Sequence, residues 1–165
     1  MTSGRMICFH ENGRRFQLRA GGLAFFRDHV LLHRLEGDTF WAFPGGRVEM
    51  GEEAALATDR EFEEELGTKA YCDDLMFLGE NFFSHQGEPD HEIGMYFSSP
   101  LPEASPLLEV AVTHFGVEGH QRLEFKWFHR AELAKVDFRP LALRKMPAPG
   151  AALQRRFVLR AKNTA

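Results

Sequence analysis

The sequence predicts an α/β fold in which helices pack on a mixed β-sheet. Strand-like apolar segments lie on both sides of one clearly helical segment at residues 53–66. This arrangement is typical of layered folds that combine a sheet with helices. The length of 165 residues, 44% of them hydrophobic, fits a single domain over residues 1–165. Residues 147–165, after a Pro- and Gly-containing break, are a possible C-terminal tail.

The remaining elements follow from apolar periodicity and turn residues. Residues 14–26 and 29–34 predict a strand hairpin around the polar pair Arg27-Asp28. Three further strands are predicted, at residues 70–84, 91–99 and 122–129. Two short helices are expected at residues 131–136 and around 139–146. Three polar segments are interpreted as loop or tail: residues 86–90, the loop-rich stretch 100–121, and a solvated basic end at 151–165.

Charge and composition restrict the class of protein. The net charge of -4 gives no overall basic surface for nucleic acid, so no nucleic-acid partner is expected. No apolar run is long enough to cross a bilayer, so no membrane partner is expected. The first residues lack the apolar core of a signal peptide, which makes the cytoplasm the expected location. Cys8 and Cys72 are expected to be free thiols.

The central helix carries a cluster of acidic residues on one face. Glu61, Glu64 and Glu65 are spaced i, i+3 and i+4, within an arc of roughly 100°, whereas Glu63 points elsewhere. The flanking buried stripe is expected to contain three apolar residues: Ala55, Phe62 and Leu66. Repulsion costs roughly 0.2–0.5 kcal/mol per exposed pair, and partial burial raises this cost and the proton affinity. A hard divalent cation bound by these carboxylates would compensate the repulsion between them. The alternative is an acidic helix face that is simply solvated.

The residues before this cluster indicate specific contacts between the helix and the loop that precedes it. Arg60 could pair with Glu52 or Glu64 through a bidentate contact, or be an ordinary surface arginine. Gly45 and Gly46 lack a Cβ, so their backbone could approach a metal or a phosphate closely; a plain turn is the alternative.

Together these residues resemble the Nudix box, G-x5-E-x7-R-E-U-x-E-E-x-G-U, in which U is apolar. The sequence has Gly46, five residues, Glu52, seven residues, then Arg60-Glu61-Phe62-Glu63-Glu64-Glu65-Leu66-Gly67-Thr68. All fixed positions match, and the single departure is Thr68 at the last apolar position. Trp41-Ala42-Phe43-Pro44-Gly45-Gly46 before the box, and Trp127 with Leu133 after it, also resemble the family. The resemblance covers about residues 18–140, with the box itself at 46–68.

The resemblance implies a Nudix-type α/β/α sandwich with a mixed β-sheet. It implies a Mg²⁺ (or Mn²⁺) site whose ligands are Glu61, Glu64 and Glu65, joined by the Gly45 carbonyl. It implies that Glu52 and Arg60 support the loop–helix geometry. The general base varies within the family, and Glu118 is the first candidate here, with Glu92 second.

The activity implied is hydrolysis of a diphosphate bond in a nucleoside diphosphate derivative, a small-molecule nucleotide. Gly45 and Gly46 are predicted to bind this substrate, and Arg34 could contact a phosphate or be a surface arginine at the end of its strand. Phe82, Phe83 and Phe97 could stack on a base. The alternatives are a non-catalytic, nucleotide-binding regulatory Nudix domain and an isomerase on the same fold. The sequence leaves open the leaving group and whether the protein is a homodimer.

Overall fold

A computed structural model describes residues 4–140, 143 and 155–160. In this part of the chain one α-helix, α1 (Ala54–Leu66), accompanies two short 3-10 helices at Pro106–Leu108 and Arg130–Lys135. The strands in chain order are β1 (Cys8–Glu11), β2 (Arg14–Leu23), β3 (Phe25–Phe26), β4 (His29–Leu35), β5 (Trp41–Ala42), β6 (Gly45–Arg47), β7 (Leu75–His85), β8 (Glu88–Ser98), β9 (His114–Glu118), β10 (Gln121–His129), β11 (Phe138–Arg139) and β12 (Arg155–Arg160).

The strands form two mixed sheets, which confirms the predicted α/β fold class. The first sheet has the order β1-β2-β8-β7-β12, and β6 also pairs with β2. Its β2–β8 and β12–β7 pairs are parallel, whereas β7–β8 and β2–β6 are antiparallel. The second sheet has the order β11-β5-β4-β10-β9, and β3 also pairs with β4. In the described residues no helix is long and apolar enough to cross a membrane.

Helix α1 packs against residues of both sheets. Ala57 lies in one core cluster with Ala20, Val48 and Phe97, at the first sheet. Phe62 belongs to a second cluster, with residues of the second sheet and the loops beside it: Ala24, Leu31, Ala70, Leu123, Phe125 and Trp127. Because both sheets fix the helix, the other buried residues of the same face, Glu61 and Glu65, are also held in place.

The bounds of α1 agree with the sequence, but its buried face is rotated. Gly67 ends the helix in a left-handed conformation with φ 64°, and its N–H donates to the carbonyl of Glu63, as expected for a C-terminal glycine. The buried residues are Ala57, Thr58, Glu61, Phe62 and Glu65. The expectation that Ala55 and Leu66 would share this face was wrong, because both are only partly buried. Two of the three clustered glutamates lie on the buried face instead of flanking it.

Several loop predictions were wrong, because the strands or strand ends concerned are largely exposed and show little hydrophobic alternation. The polar segment 86–90 contains only a two-residue turn, Gln86-Gly87, and β7 and β8 run up to it. Strand β9 lies within the predicted loop 100–121 and pairs with β10. Strand β12 lies in the predicted tail and pairs in parallel with β7. Strand β1, which pairs with β2, was not predicted.

The predicted hairpin and helices also differ in detail. Strand β3, and not β2, is the antiparallel partner of β4 around Arg27-Asp28. The helix predicted at 131–136 is the 3-10 helix Arg130–Lys135. Of the helix predicted around 139–146, the first residue belongs to β11, and most of the rest lies outside the described residues.

Candidate active site

A bidentate ion pair joins the middle of α1 to the loop before the helix. Arg60 Nε lies 2.7 Å from Glu52 Oε1, and Arg60 Nη2 lies 3.1 Å from Glu52 Oε2. The same Nη2 donates to the Arg47 carbonyl at 3.1 Å, and the Glu49 N–H donates to Glu52 Oε2 at 2.9 Å. Burial raises the pKa of Glu52, but the hydrogen bonds from Arg60 and Glu49 outweigh it, so the net pKa is below its usual value. The loop is therefore fixed on the helix by charge-assisted bonds.

Arg60 also contacts two of the clustered glutamates. Its Nη1 lies 3.0 Å from Glu61 Oε1 and 3.2 Å from Glu64 Oε2. The sequence offered Glu52 and Glu64 as partners, and both contacts are observed, whereas the contact with Glu61 was not predicted. The Glu64 side chain is 59% exposed, against 10% for Glu61, so the two carboxylates differ strongly in solvation.

The Gly45-Gly46 pair permits the close packing of Glu61 against β6. A Cβ on Gly46 would lie 2.2 Å from Glu61 Oε1, and a Cβ on Gly45, where φ is 150°, would lie 2.1 Å from the Ala20 carbonyl oxygen. Neither position tolerates a side chain without movement. Burial, followed by the charge of Glu65, raises the pKa of Glu61 to about 7, although Arg60 opposes the rise.

Glu65 is the most buried of the three glutamates and has a histidine as its neighbour. Its side chain is 3% exposed, and its Oε2 lies 3.4 Å from Nδ1 of His33 on β4. Neither atom has a hydrogen-bond partner in the described structure. Burial, then the charge of Glu118, raises the pKa of Glu65 to about 8. Burial, then the charge of Arg19, lowers the pKa of His33 to about 3, so the imidazole is neutral and does not balance the carboxylate.

Sequence reasoning missed His33 and Arg19 as residues of this site. Arg19 on β2 donates from Nη2 to the Gly45 carbonyl at 3.2 Å, and its charge acts on Glu65 and His33. His33 could have been found from the alternation of β4, in which it follows the buried Leu31 on the same face. For Arg19 the local sequence holds no signal, because its position depends on the pairing of β2 with β6.

The glutamates have the chemistry of a site for a hard divalent cation. Glu61 and Glu65 offer carboxylate oxygens, the donor type that Mg²⁺ and Mn²⁺ prefer, and Glu65 Oε2 is buried without a partner in the described chain. The described residues hold no converged set of three or more His, Cys, Asp or Glu ligands. Arg60 instead contacts Glu61 and Glu64, and the Gly45 carbonyl accepts from Arg19.

The two candidate general bases differ in environment. Glu118 is exposed at the end of β9, and its charge acts on Glu65 and His33, which places it near the acidic cluster. Glu92, by contrast, is a buried carboxylate, 8% exposed. Its two oxygens accept from Gln17 Nε2 at 2.7 Å and Asn81 Nδ2 at 3.1 Å, on the strands β2 and β7 beside its own.

Arg34 is held by other parts of the second sheet. It pairs with Glu124 across the β4–β10 pair, and its guanidinium lies 4.4 Å from the ring centroid of Trp41. Neighbouring residues of a strand point to opposite faces, so Arg34 points away from the face on which His33 meets Glu65. This placement does not support the prediction that Arg34 contacts a phosphate.

The three candidate stacking residues do not form one surface. Phe97 is 7% exposed and packs in the core cluster beside α1, so its predicted role in base stacking was wrong. Phe82 stacks on His91 with ring centroids 4.3 Å apart, and the Arg160 guanidinium lies 4.1 Å from its centroid. Phe83 follows Phe82 on β7 and therefore points to the opposite face of the sheet.

Comparison with known proteins identifies the family. The family model of the NUDIX domain matches residues 15–148. The chain belongs to the NUDIX family. This confirms the resemblance seen in the box and makes the chain a Nudix-type pyrophosphohydrolase, an enzyme acting on phosphorus-containing anhydrides. No curated protein matches the chain.

Solved structures support the assignment at the level of the fold. A NUDIX hydrolase from Nitrosomonas europaea has a TM-score of 0.61 at 17% identity, covering 97% of each chain. A MutT NUDIX hydrolase from Burkholderia pseudomallei has a TM-score of 0.56 at 21% identity, covering 70% of this chain and 84% of its own. A UDP-X diphosphatase has a TM-score of 0.51 at 20% identity, covering 70% of this chain and 51% of its own. At these identities the likeness establishes the fold alone.

Proposed function

We propose that this NUDIX enzyme uses Mg²⁺ or Mn²⁺ to hydrolyse the diphosphate bond of a nucleoside diphosphate linked to another group. One observation carries the proposal: Glu61 and Glu65 are neighbouring, nearly buried carboxylates beside Gly45 and Gly46 of β6, and Arg60 contacts only Glu61 of the two. A purely structural helix has no need of such a costly arrangement. When bound, a divalent cation supplies charge neutralisation for the phosphate oxygens and acidifies an attached water.

Each residue then has a defined task. Glu61, Glu64 and Glu65 would hold the cation, with the Gly45 carbonyl as a further oxygen donor. Glu52 and Arg60 position the loop against the helix, since their bidentate contact fixes both elements. The absence of side chains at Gly45 and Gly46 lets the substrate approach the backbone.

Glu118 is our candidate for the group that takes the proton from the attacking water. Its exposed position leaves its carboxylate free to accept a proton and pass it to solvent. Its effect on the pKa of Glu65 indicates that it lies close to the cluster. Glu92 is the second candidate, although two amides already donate to its oxygens.

The test is a panel of nucleoside triphosphates, ADP-ribose, dinucleoside polyphosphates and sugar nucleotides, assayed with Mg²⁺, Mn²⁺ or a chelator. We expect metal-dependent release of a nucleoside monophosphate from at least one compound and no turnover with chelator. Reaction in ¹⁸O-labelled water, with both products weighed, then locates the attacked phosphorus. If ¹⁸O were incorporated only when the substrate is a phosphomonoester, and every diphosphate were recovered intact, the proposed bond would be refuted.

Two matched variants test the site. Glu65→Gln removes a buried charged ligand, so kcat should fall by roughly 10²–10³ or more, the scale of losing one preorganised electrostatic group. Glu63→Gln changes an exposed residue of the same helix and should alter kcat little. Equal losses in the two variants would show that the assigned helical face is wrong. A regulatory domain would bind nucleotide without turnover, and an isomerase would release no phosphate or nucleotide.

The substrate is a small-molecule nucleotide, and the location we propose is the cytoplasm. Assembly as a homodimer would be measured by light scattering. A single mass equal to that of one chain would exclude it.

A further inference from the structure

Two arginines face each other directly in the first sheet. Arg19 on β2 and Arg47 on β6 are Cα partners in an antiparallel pair. Directly opposed residues of such a pair extend from the same face, with their Cβ atoms roughly 5 Å apart. Like charges in this arrangement destabilise the sheet. Both side chains are also partly buried, which reduces the screening of their charges by water.

Both guanidinium groups donate hydrogen bonds to uncharged acceptors. Arg19 donates to the Gly45 carbonyl at 3.2 Å, and Arg47 Nε donates to Gln17 Oε1 at 3.0 Å. Within residues 4–140, 143 and 155–160 no ion pair joins either of them to a carboxylate. The stretches outside these ranges contain no Asp or Glu at all. Most N–H donors of the two guanidinium groups therefore have no carboxylate side chain to bind.

Three other partly buried arginines pair with carboxylates: Arg15 with Asp90, Arg34 with Glu124 and Arg60 with Glu52. The opposed pair on β2 and β6 departs from this pattern at the one strand that also carries Gly45 and Gly46. A structural role would be served equally well by a carboxylate partner, so the departure points to a ligand that supplies the negative charge.

The pair is connected to the proposed active site through its backbone and its charge. Arg47 offers its carbonyl to Arg60, which holds Glu61. Arg19 bonds the Gly45 carbonyl and acts electrostatically on Glu65. The two guanidinium groups lack a carboxylate partner without any cation, so they can accept an anion in the metal-free protein, and a cation on the glutamates would strengthen that binding.

We propose that Arg19 and Arg47 form an anion site that binds a phosphate of the substrate other than the one attacked. Guanidinium forks match the geometry of phosphate oxygens and bind them in pairs of parallel hydrogen bonds. The assignment of the anion to a substrate phosphate rests on the proposed function. The ability to bind inorganic phosphate or diphosphate does not depend on it.

The experiment measures binding of inorganic diphosphate to metal-free protein in chelator at low ionic strength, by calorimetry and by the shift in unfolding temperature. Arg19→Gln and Arg47→Gln should each raise the Kd about tenfold or more, as expected for lost charge-assisted hydrogen bonds. Arg14→Gln is the matched control, because Arg14 is an exposed arginine of the same strand. It should bind diphosphate like the unmodified protein.

A second readout separates an anion site from a structural role. Without anion, Arg47→Gln should unfold at the same temperature as the unmodified protein or higher, because it removes one of two repelling charges. Arg19→Gln also loses the attraction to Glu65, so that variant is compared by its Kd alone. Undiminished diphosphate binding in both variants, or no binding by the unmodified metal-free protein, would overturn the proposal. Arginine-dependent binding in a protein that hydrolyses no member of the substrate panel would instead refute the proposed function and leave the anion site standing.

Discussion

Replacing Glu65 by glutamine should stabilise the metal-free protein above neutral pH. The folded environment raises the pKa of Glu65 from 4.5 to about 8, so the folded state binds the proton more tightly than the unfolded chain. The ionised side chain therefore destabilises the fold increasingly as pH rises from 4.5 to about 8, and fully above that. Below pH 4.5 the effect is absent because both states are protonated.

The magnitude follows from the size of the pKa change. At 1.36 kcal/mol per pKa unit the rise corresponds to at most about 5 kcal/mol at pH 9. Glutamine still buries an amide, at a cost of about 1–3 kcal/mol. We therefore expect Glu65→Gln to increase the free energy of unfolding by about 2–4 kcal/mol at pH 9 and to lose this advantage near pH 4.5.

Urea unfolding in chelator between pH 4.5 and pH 9 measures this difference. Glu63→Gln is the matched control, because it makes the same chemical change at an exposed position of the same helix. Added Mg²⁺ should raise the stability of the unmodified protein at pH 9 and that of Glu65→Gln much less. A Glu65→Gln protein no more stable than the unmodified one at pH 9 would refute the electrostatic account of the buried face.

Three further predictions concern neighbouring groups. Gly46→Ala should lower kcat about tenfold or more, because its Cβ would lie 2.2 Å from Glu61 Oε1; activity equal to the unmodified enzyme would disprove the close packing. Arg60→Gln should lower the free energy of unfolding by about 1–3 kcal/mol in urea, since a half-buried carboxylate loses its partner. Burial raises the pKa of the Cys72 thiol to about 12, so iodoacetamide at pH 8 should modify it only after unfolding; fast native modification mapped to Cys72 instead of Cys8 would contradict this.

The sequence predicted the parts of the site that depend on one helix. The 3.6-residue period placed Glu61, Glu64 and Glu65 together and set Glu63 apart. In the structure Glu61 and Glu65 are buried, whereas Glu64 is exposed like Glu63 and is joined to Glu61 through Arg60. The period could not place the buried face correctly, because that face depends on the two sheets between which α1 packs. The extent of burial decides which carboxylates carry a raised pKa, so this information also lay outside the sequence.

Residues that enter the site from other strands were harder to predict. His33 reaches Glu65 only because β4 lies beneath the helix, and Arg19 reaches Gly45 only because β2 pairs with β6. Neither relation is local in the chain. Arg34 was chosen for its position at a strand end, but alternation along β4 turns it to the opposite face, where Glu124 binds it.

Positive charge is distributed unevenly around the proposed cation site. Arg60 lies beside Glu52, Glu61 and Glu64, and it contacts all three. Glu65, one helical turn beyond Glu61, has the neutral His33 at 3.4 Å as its neighbour. The charge of Arg19 acts on it without an ion pair, and the charge of Glu118 adds to its own. Arg60 thus offsets part of the negative charge at its end of the cluster, whereas Glu65 has no arginine or lysine in an ion pair within the described residues. A divalent cation beside Glu65 would reduce the remaining negative charge near Arg19 and Arg47, so that metal and phosphate should each strengthen the binding of the other.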